Sequence, residues 1–381
     1  MAFIFNFLGD TKKPSLEELR RGIMSHLSKP ISRSSFWERL SRKRLFFFLE
    51  QILSELMKQL TVPLFSKEQI LNQLGVCAIY IIDSTTITLP AWAAKYFRGT
   101  GSAAAIKWHT CIDVMQGTLC WNQITSGRTH DRKCFPDIIG LVGRLVILDL
   151  GYWDYSLLQA IEVAGGFYLS RVRSDAVIII KEIVQGLGKR SIGKPLLSIL
   201  MRRKRGSIIE LYGEHIGKKS TLRLRVIGFW NPIEHRYHWY VTNLKIAAIV
   251  IYSLYRLRWQ IELMFKGCKQ SLRLDEITSG NKNIIKSLLL GAVVAQLCSQ
   301  TILRNSLSQL SEEKKFAVSY QRISKVFVNL SQRVISFLLD NCEASLGRLI
   351  ESINIFTGEL FDPNYRRRKS SLAQIKDALN A

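Results

Sequence analysis

Val76-Cys-Ala-Ile-Tyr-Ile-Ile-Asp83 and Leu145-Val-Ile-Leu-Asp149 are runs of one kind: unbroken apolar residues closed by an aspartate. A strand with one wet face alternates apolar and polar residues, so a run without alternation reads as a strand covered on both faces. Between the two, 106–114 and 118–125 read as strands joined in a hairpin through Met115-Gln-Gly117. Residues 131–142 and 155–164 read as helices, and 167–171 as a strand closing on Arg171. The order β-β-β-α-β-α-β predicts an α/β fold, a mixed sheet with helices against its faces. With the two runs as neighbours, Asp83 and Asp149 meet at one sheet edge. The plain alternative for each is a turn residue or a helix cap, and Asp83-Ser-Thr-Thr86 is compatible with an Asx-type turn.

A third carboxylate lies in Tyr255-Arg-Leu-Arg-Trp-Gln-Ile-Glu-Leu-Met-Phe-Lys-Gly-Cys-Lys269. At about 100° per residue, Tyr255, Arg258, Glu262 and Lys269 fall on a helix stripe roughly 60° wide, and Lys266 lands beside them. Leu257, Ile261, Met264 and Cys268 take the opposite, apolar side. One acid among cations and a phenol suits chemistry on a phosphate backbone. The plain alternative is a solvated face with a surface Arg258–Glu262 pair, which contributes little. Three carboxylates brought together cannot all stay ionised without a cation. Oxygen ligands favour Mg²⁺ or Mn²⁺ over zinc, and two such ions about 4 Å apart serve in-line displacement at phosphorus.

Composition agrees with a polyanionic partner. The chain has 381 residues, 54 Lys and Arg against 30 Asp and Glu, and a net charge of +24. Such an excess opposes compaction unless DNA or RNA offsets it. A basic membrane-surface protein is the other candidate, but no cationic amphipathic helix dominates. The 47% hydrophobic content predicts a globular chain of two or three domains. Seven cysteines, an odd count without close pairs, point to reduced thiols and a cytosolic setting. His109 with Cys111, and His130 with Cys134, lack a recognised zinc spacing. Met1-Ala-Phe-Ile-Phe-Asn-Phe-Leu is too short for a signal sequence, and 287–303 is interrupted by Gln296, Ser299 and Gln300. The expectation is a soluble protein with no membrane segment.

Residues 1–70 read as a helical N-terminal region, with capping boxes at Ser15-Leu-Glu-Glu18 and Ser35-Phe-Trp-Glu38 and a break at Lys29-Pro-Ile-Ser-Arg33. Arg39, Arg42, Lys43 and Arg44 suggest a small DNA-binding element; the alternative is a hairpin that packs on the main domain. Residues 172–244 read as a β-rich basic insertion holding Arg202-Arg-Lys-Arg205 and Lys218-Lys219. Residues 301–381 read as a helical C-terminal region with a basic tail, Tyr365-Arg-Arg-Arg-Lys-Ser-Ser371. Neither internal repeats nor a Gly-rich phosphate loop are evident.

Tyr255, Arg258, Glu262 and Lys269 match the Y-x2-R-x3-E-x6-K signature of DDE transposases of the insertion-sequence 4 family. Asp83-Ser-Thr-Thr86 matches the first acidic motif of that family, and Asp149 through Arg171 the second. Lys107-Trp-His-Thr-Cys-Ile-Asp113 and Thr125-Ser-Gly-Arg-Thr-His-Asp131 resemble segments between them. The sequence thus resembles these prokaryotic enzymes over residues 76–300. One departure is Leu150, where many relatives carry Arg; Asp154 is the substitute acid on offer, though it reads as a helix cap.

The resemblance implies an RNase H-like catalytic core in two parts, 76–171 and 245–300, interrupted by 172–244. It implies Asp83, Asp149 and Glu262 as catalytic ligands of two Mg²⁺ or Mn²⁺ ions. Tyr255, Arg258 and Lys269, with Lys266 on the same stripe, would grip DNA phosphates. An aromatic of the insertion would stack where a base flips out; Trp239 is nearest in position and His238 equally close, the alternative for Trp239 being a core residue, and His130 is either a second-layer group or a cap. The implied partners are double-stranded DNA, both terminal inverted repeats and target, and a second copy in a synaptic homodimer. The implied setting is a prokaryotic cytoplasm, near the nucleoid. Two rivals stand beside this reading: an RNase H-like nuclease without strand transfer, and a catalytically silent DNA-binding descendant, whose mark would be a broken acid triad.

Overall fold

The two apolar runs become adjacent parallel strands, and the rest of the sheet is arranged around them. The computed structural model describes residues 15–24, 27–59, 67–116, 118–198, 208–216, 221–271, 277, 279–308, 342–361 and 371–380, with short pieces between 322 and 337. Strands β1 (Ala78–Leu89), β2 (Ala104–Asp113), β3 (Thr118–Ser126), β4 (Arg144–Leu148), β5 (Phe167–Arg171), β6 (Ile179–Gln185), β7 (Ile208–Ile216), β8 (Thr221–Asn231) and β9 (Arg236–Thr242) form one nine-stranded sheet. Its order is β3-β2-β1-β4-β5-β9-β8-β7-β6. Pairs β1·β4 and β4·β5 are parallel, the others antiparallel. The fold is the mixed α/β layer that the two runs predict.

The described helices are α1 (Leu16–Met24), α2 (Arg33–Ser41), α3 (Lys43–Gln59), α4 (Lys67–Leu74), α5 (Tyr155–Val163), α6 (Ala248–Arg256), α7 (Trp259–Ser271), α8 (Lys282–Ser308), α9 (Glu343–Phe356) and α10 (Ser371–Asn380). Alternate strand residues enter opposite cores, as the period of two requires. Ile79, Ile81, Leu145, Ile147 and Leu169 join a core with α6, α7 and α8. Ile82, Val146, Leu148 and Tyr168 join a second core with Leu158 and Ile161 of α5. Each such buried side chain stabilises by about 1.5–3 kcal/mol. No described helix is long and apolar enough to cross a membrane; the 287–303 segment lies in α8, where Leu288, Leu289 and Val293 are buried.

Three local expectations are corrected. Residues 131–142 form no α-helix but two 3₁₀ turns, Asp131–Cys134 and Ile138–Leu141. Pro136 lacks a donor and forces Phe135 into extended backbone (φ −75°, ψ 136°). Ser35 does not cap its helix: Ser32 does, accepting from the Ser35 amide at 3.2 Å, so Ser35 is already helical. Strand β1 does not stop at Asp83 but runs on to Leu89. The box at Ser15 forms as expected, its hydroxyl accepting from Glu18 N and Glu18 accepting from Ser15 N. Helices α2 and α3 lie against α8, where Asn283 Nδ2 donates to Ser41 O at 2.7 Å, while Arg39, Arg42, Lys43 and Arg44 stay exposed. Residues 1–14, 202–205, 218–219 and 365–370 of the sequence expectations lie outside the described residues.

The β-rich segment is joined to the parallel strands at β5·β9, where Leu169 pairs with Thr242 and Arg171 with Tyr240. Asn243 extends this seam with its side chain: Tyr168 N donates to Oδ1 at 2.9 Å and Nδ2 donates to Gly166 O at 3.0 Å. Arg225 on β8 holds the chain that leads into α6. It pairs with Glu210 at 2.7 Å and donates to Leu244 O and Ile246 O at 2.5 and 2.7 Å. The two side chains are only 9% and 13% exposed, so removing one strands the other charge. Arg225→Ala is expected to lower stability by about 3–5 kcal/mol, read by urea unfolding; a change below about 1 kcal/mol would contradict the tie.

Candidate active site

The register of β1 and β4 sets the first two acids. Their pairing runs from Ala78 opposite Arg144 to Ile82 opposite Leu148. Asp83 and Asp149 are the next residue on each strand, on the face of Ile81 and Ile147. Here the strands part. The β4 chain enters a 3₁₀ turn, Leu150–Tyr152, while β1 continues to Leu89 against β2 alone, with Asp83 opposite Thr110. Ser84, Thr85 and Thr86 are therefore strand residues, because β2 supplies the ladder that a lone polar stretch lacks. Asp83 still accepts from the Ser84 amide at 2.7 Å.

The third acid arrives on a broken helix. Tyr255 and Leu257 lie about 200° apart on a regular helix, so both cannot face one core. Both are nonetheless buried, Tyr255 at 9% exposure under the Tyr240 ring, 4.9 Å between centroids. The chain resolves the conflict by tightening. Leu257, Arg258, Gln260 and Ile261 donate to carbonyls three residues back, ending α6 at Arg256 and starting α7 at Trp259. The single stripe expected from Tyr255 to Lys269 is thus corrected to two helices, with Tyr255 inside and Arg258 in the break. The apolar side is as expected: Leu257, Ile261, Met264 and Cys268 are all buried.

Arg258 is where the three segments meet. Its guanidinium lies 3.3 Å from Asp83 Oδ2 and 3.7 Å from Asp149 Oδ1, and it hydrogen-bonds Glu262 Oε1. Asp149 is 38% exposed and Asp83 only 15%, so solvent enters from the Asp149 side. Burial pushes the Asp83 carboxyl up to about 7; Asp149 and Glu262 add to the rise, and the Ser84 amide and Arg258 oppose it. Lys269 Nζ donates to Thr86 O at 2.8 Å, and Lys266 is exposed. Asp154 caps α5, accepting from Ser156 N and Leu157 N, and pairs with Arg132 at 2.8 Å, which is the cap reading and not that of a substitute acid. His130 occupies the cap position of a 3₁₀ turn without a side-chain cap bond.

Trp239 lies opposite Gly228 on β8, and a Cβ there would sit 2.6 Å from the indole, so the ring lies flat on the glycine. It lines a cleft of about 720 Å³ with Leu150, Arg171, Arg173, Arg236 and His238. Trp239 packs on the second core, on the sheet face opposite that of Asp83 and Asp149, and the cleft reaches Leu150, the residue after Asp149. Sequence reasoning missed a fourth carboxylate on the reverse of the sheet, Asp131, which binds Ser84 Oγ and Lys107 Nζ at 2.7 and 3.3 Å. Burial pushes the neighbouring His109 down to about 4, so Lys107 supplies the counter-charge. Its signal was a histidine and an aspartate after a strand, which is indistinguishable from a turn.

A sequence profile of the family described as "Transposase DDE domain" matches residues 78–298, more than half of the chain and all three acids. The chain belongs to that family. It is 26% identical over 324 residues to the transposase for insertion sequence element IS1151 of Clostridium perfringens, covering 72% of this chain and 67% of that one. To the transposase for insertion sequence element IS231F of Bacillus thuringiensis subsp. israelensis it is 25% identical, covering 73% and 68%. The cryo-EM structure of the piggyBac transposase synaptic complex with hairpin DNA is similar at a TM-score of 0.43 and 10% identity, covering 95% of this chain and 75% of that one. The protein is a transposase, an enzyme acting on DNA.

DDE transposases use divalent metal ions. Among the described residues no group of three or more His, Cys, Asp or Glu is arranged to hold one as it stands. The residues fit such an ion in charge and donor type: three carboxylates from three segments already converge on one cation, Arg258. An all-oxygen set suits hard ions.

Proposed function

We propose that this transposase cuts DNA at the ends of its element and joins the freed 3′-OH to target DNA, with Asp83, Asp149 and Glu262 as its catalytic acids. The observation that carries the assignment is their convergence on Arg258 from β1, the end of β4 and α7. The three would hold two Mg²⁺ or Mn²⁺ ions, which when bound activate the attacking hydroxyl and stabilise the leaving oxygen. The chain's own part is position and charge. Arg258, 20% exposed and held by the three acids, carries the planar fork that suits a phosphate once ions take over those acids. Lys269 and Lys266 continue that cationic line along α7, and Tyr255 shapes the turn from beneath.

Trp239 would supply a stacking face for a displaced base from the cleft it shares with Leu150 and Arg171. Base–aromatic stacking contributes about 1–3 kcal/mol, so Trp239→Ala is expected to slow end processing roughly tenfold. Fluorescence of 2-aminopurine placed at the DNA end reads the same contact; full quenching in the variant would remove Trp239 from this role. Two ends need two sets of acids, which supports an active homodimer on paired ends. The class is tested with labelled DNA flanking the coding region, Mg²⁺ and a target plasmid. Joined products are expected; 3′-OH ends that never join would make the protein a nuclease.

A further inference from the structure

Beyond Ile82 and Leu148 no ladder bond links β1 to β4, yet the spacing of Asp83 and Asp149 is set just there. Something else must fix it, and Asp131 is in place. Its Oδ1 accepts from Ser84 Oγ at 2.7 Å, one residue after Asp83. Its Oδ2 lies 3.0 Å from where a Cβ on Gly151 would be, two residues after Asp149. Neighbouring strand residues face opposite ways, so this clamp works from the reverse side of the sheet. Lys107 holds Asp131 in turn, with Nζ 3.3 Å from Oδ1 and a second bond to Thr129 O at 3.0 Å. His109 Nδ1 stands at 3.5 Å. Strands β1 and β2 are thereby bonded to one carboxylate, and the turn after β4 packs against it at Gly151.

We propose that Asp131 is a positioning residue that sets the separation of Asp83 and Asp149, and with it the affinity of the acid cluster for divalent ions. The proposal rests on the assignment of those acids above. Its action is indirect: Asp131 is bonded to the segment of Asp83 through Ser84, props the segment of Asp149 at Gly151, and takes no part in holding DNA or ion. It also explains Gly151, since an added methyl would press on the Asp131 carboxylate.

The test is a Mn²⁺ titration of the full chain, read by thermal unfolding, with end-DNA affinity measured in parallel. In the wild type Mn²⁺ raises the midpoint of unfolding, and Asp149→Asn abolishes the rise. Asp131→Ala is expected to need roughly tenfold more Mn²⁺, on the scale of losing an outer partner of a metal ligand, with end-DNA affinity unchanged. Cleavage by this variant then recovers at high Mn²⁺, which a general loss of folding would not allow. Asp131→Asn keeps an acceptor for Ser84 and should shift the requirement by only about threefold. Gly151→Ala should shift it in the same direction, without adding to Asp131→Ala. Ser84→Ala, which deletes one hydroxyl, serves if Asp131→Ala does not fold. A Mn²⁺ requirement within twofold of wild type in Asp131→Ala and Gly151→Ala, or in Ser84→Ala where that variant stands in, overturns the clamp. A wild type with no Mn²⁺ response sensitive to Asp149→Asn overturns the assignment of the acids, and the clamp with it.

Discussion

Glu262→Ala and Asp149→Asn are each expected to abolish cleavage, by roughly a thousandfold or more, while end-DNA binding stays near wild type. The two acids sit on separate segments, α7 and the end of β4, and share a neighbour in Arg258. Neither is deeply buried, so losing one carboxylate costs the fold little. Binding survives because DNA affinity comes from cations, and the variants remove negative charge. Chemistry fails because the in-line displacement needs its charge held in place. Single-turnover cleavage of an end-labelled duplex and an electrophoretic mobility shift measure the two properties separately. Unchanged cleavage in either variant would remove that residue from the site.

Arg258→Ala is expected to act twice. Loss of a phosphate contact should make the dependence of log affinity on log salt shallower by about 0.9. Loss of the shared cation should also destabilise the metal-free protein, because three carboxylates then face one another. Breaking a fully buried pair costs about 3–5 kcal/mol, and the partial exposure here reduces that to roughly 2 kcal/mol. Mn²⁺ should restore the lost stability in the variant, and by more than it stabilises the wild type. Arg258→Lys keeps the charge but not the planar fork that reaches several acids at once, so it should recover only part of either effect. A salt slope and a metal-free unfolding midpoint both equal to wild type would contradict the central place given to Arg258.

What was legible in the sequence was what local periodicity encodes. The two apolar runs gave neighbouring strands because only a sheet covered on both faces tolerates them. The position of Asp149 follows from that directly, and the pairing of Glu262 with Arg258 at i, i+4 follows from the helical period. The contact of Arg258 with Asp83 spans 175 positions and depends on which strands adjoin, which no local pattern carries. The helix break at Leu257 was hidden for a related reason: a regular helix exposes Tyr255, and only the presence of Tyr240 makes its burial worthwhile. Ser84-Thr85-Thr86 lacks apolar residues and so gives no local sign of a strand, yet β2 pairs β1 to Leu89. Asp131 was invisible because its partners, Ser84 and Lys107, are brought to it by sheet register.

The seam at Asn243 has a mechanical meaning. It places the strand that carries Trp239 and the edge that carries Asp83 and Asp149 in one hydrogen-bonded plate, so that, with the roles proposed above, no joint would separate gripping from cutting. A rigid plate leaves distortion to the softer body, which is the duplex. Opening a base step costs a few kcal/mol, and pyrimidine–purine steps such as TA and CA give way most readily. On the proposed roles, element ends with a compliant step beside the cut should be processed fastest.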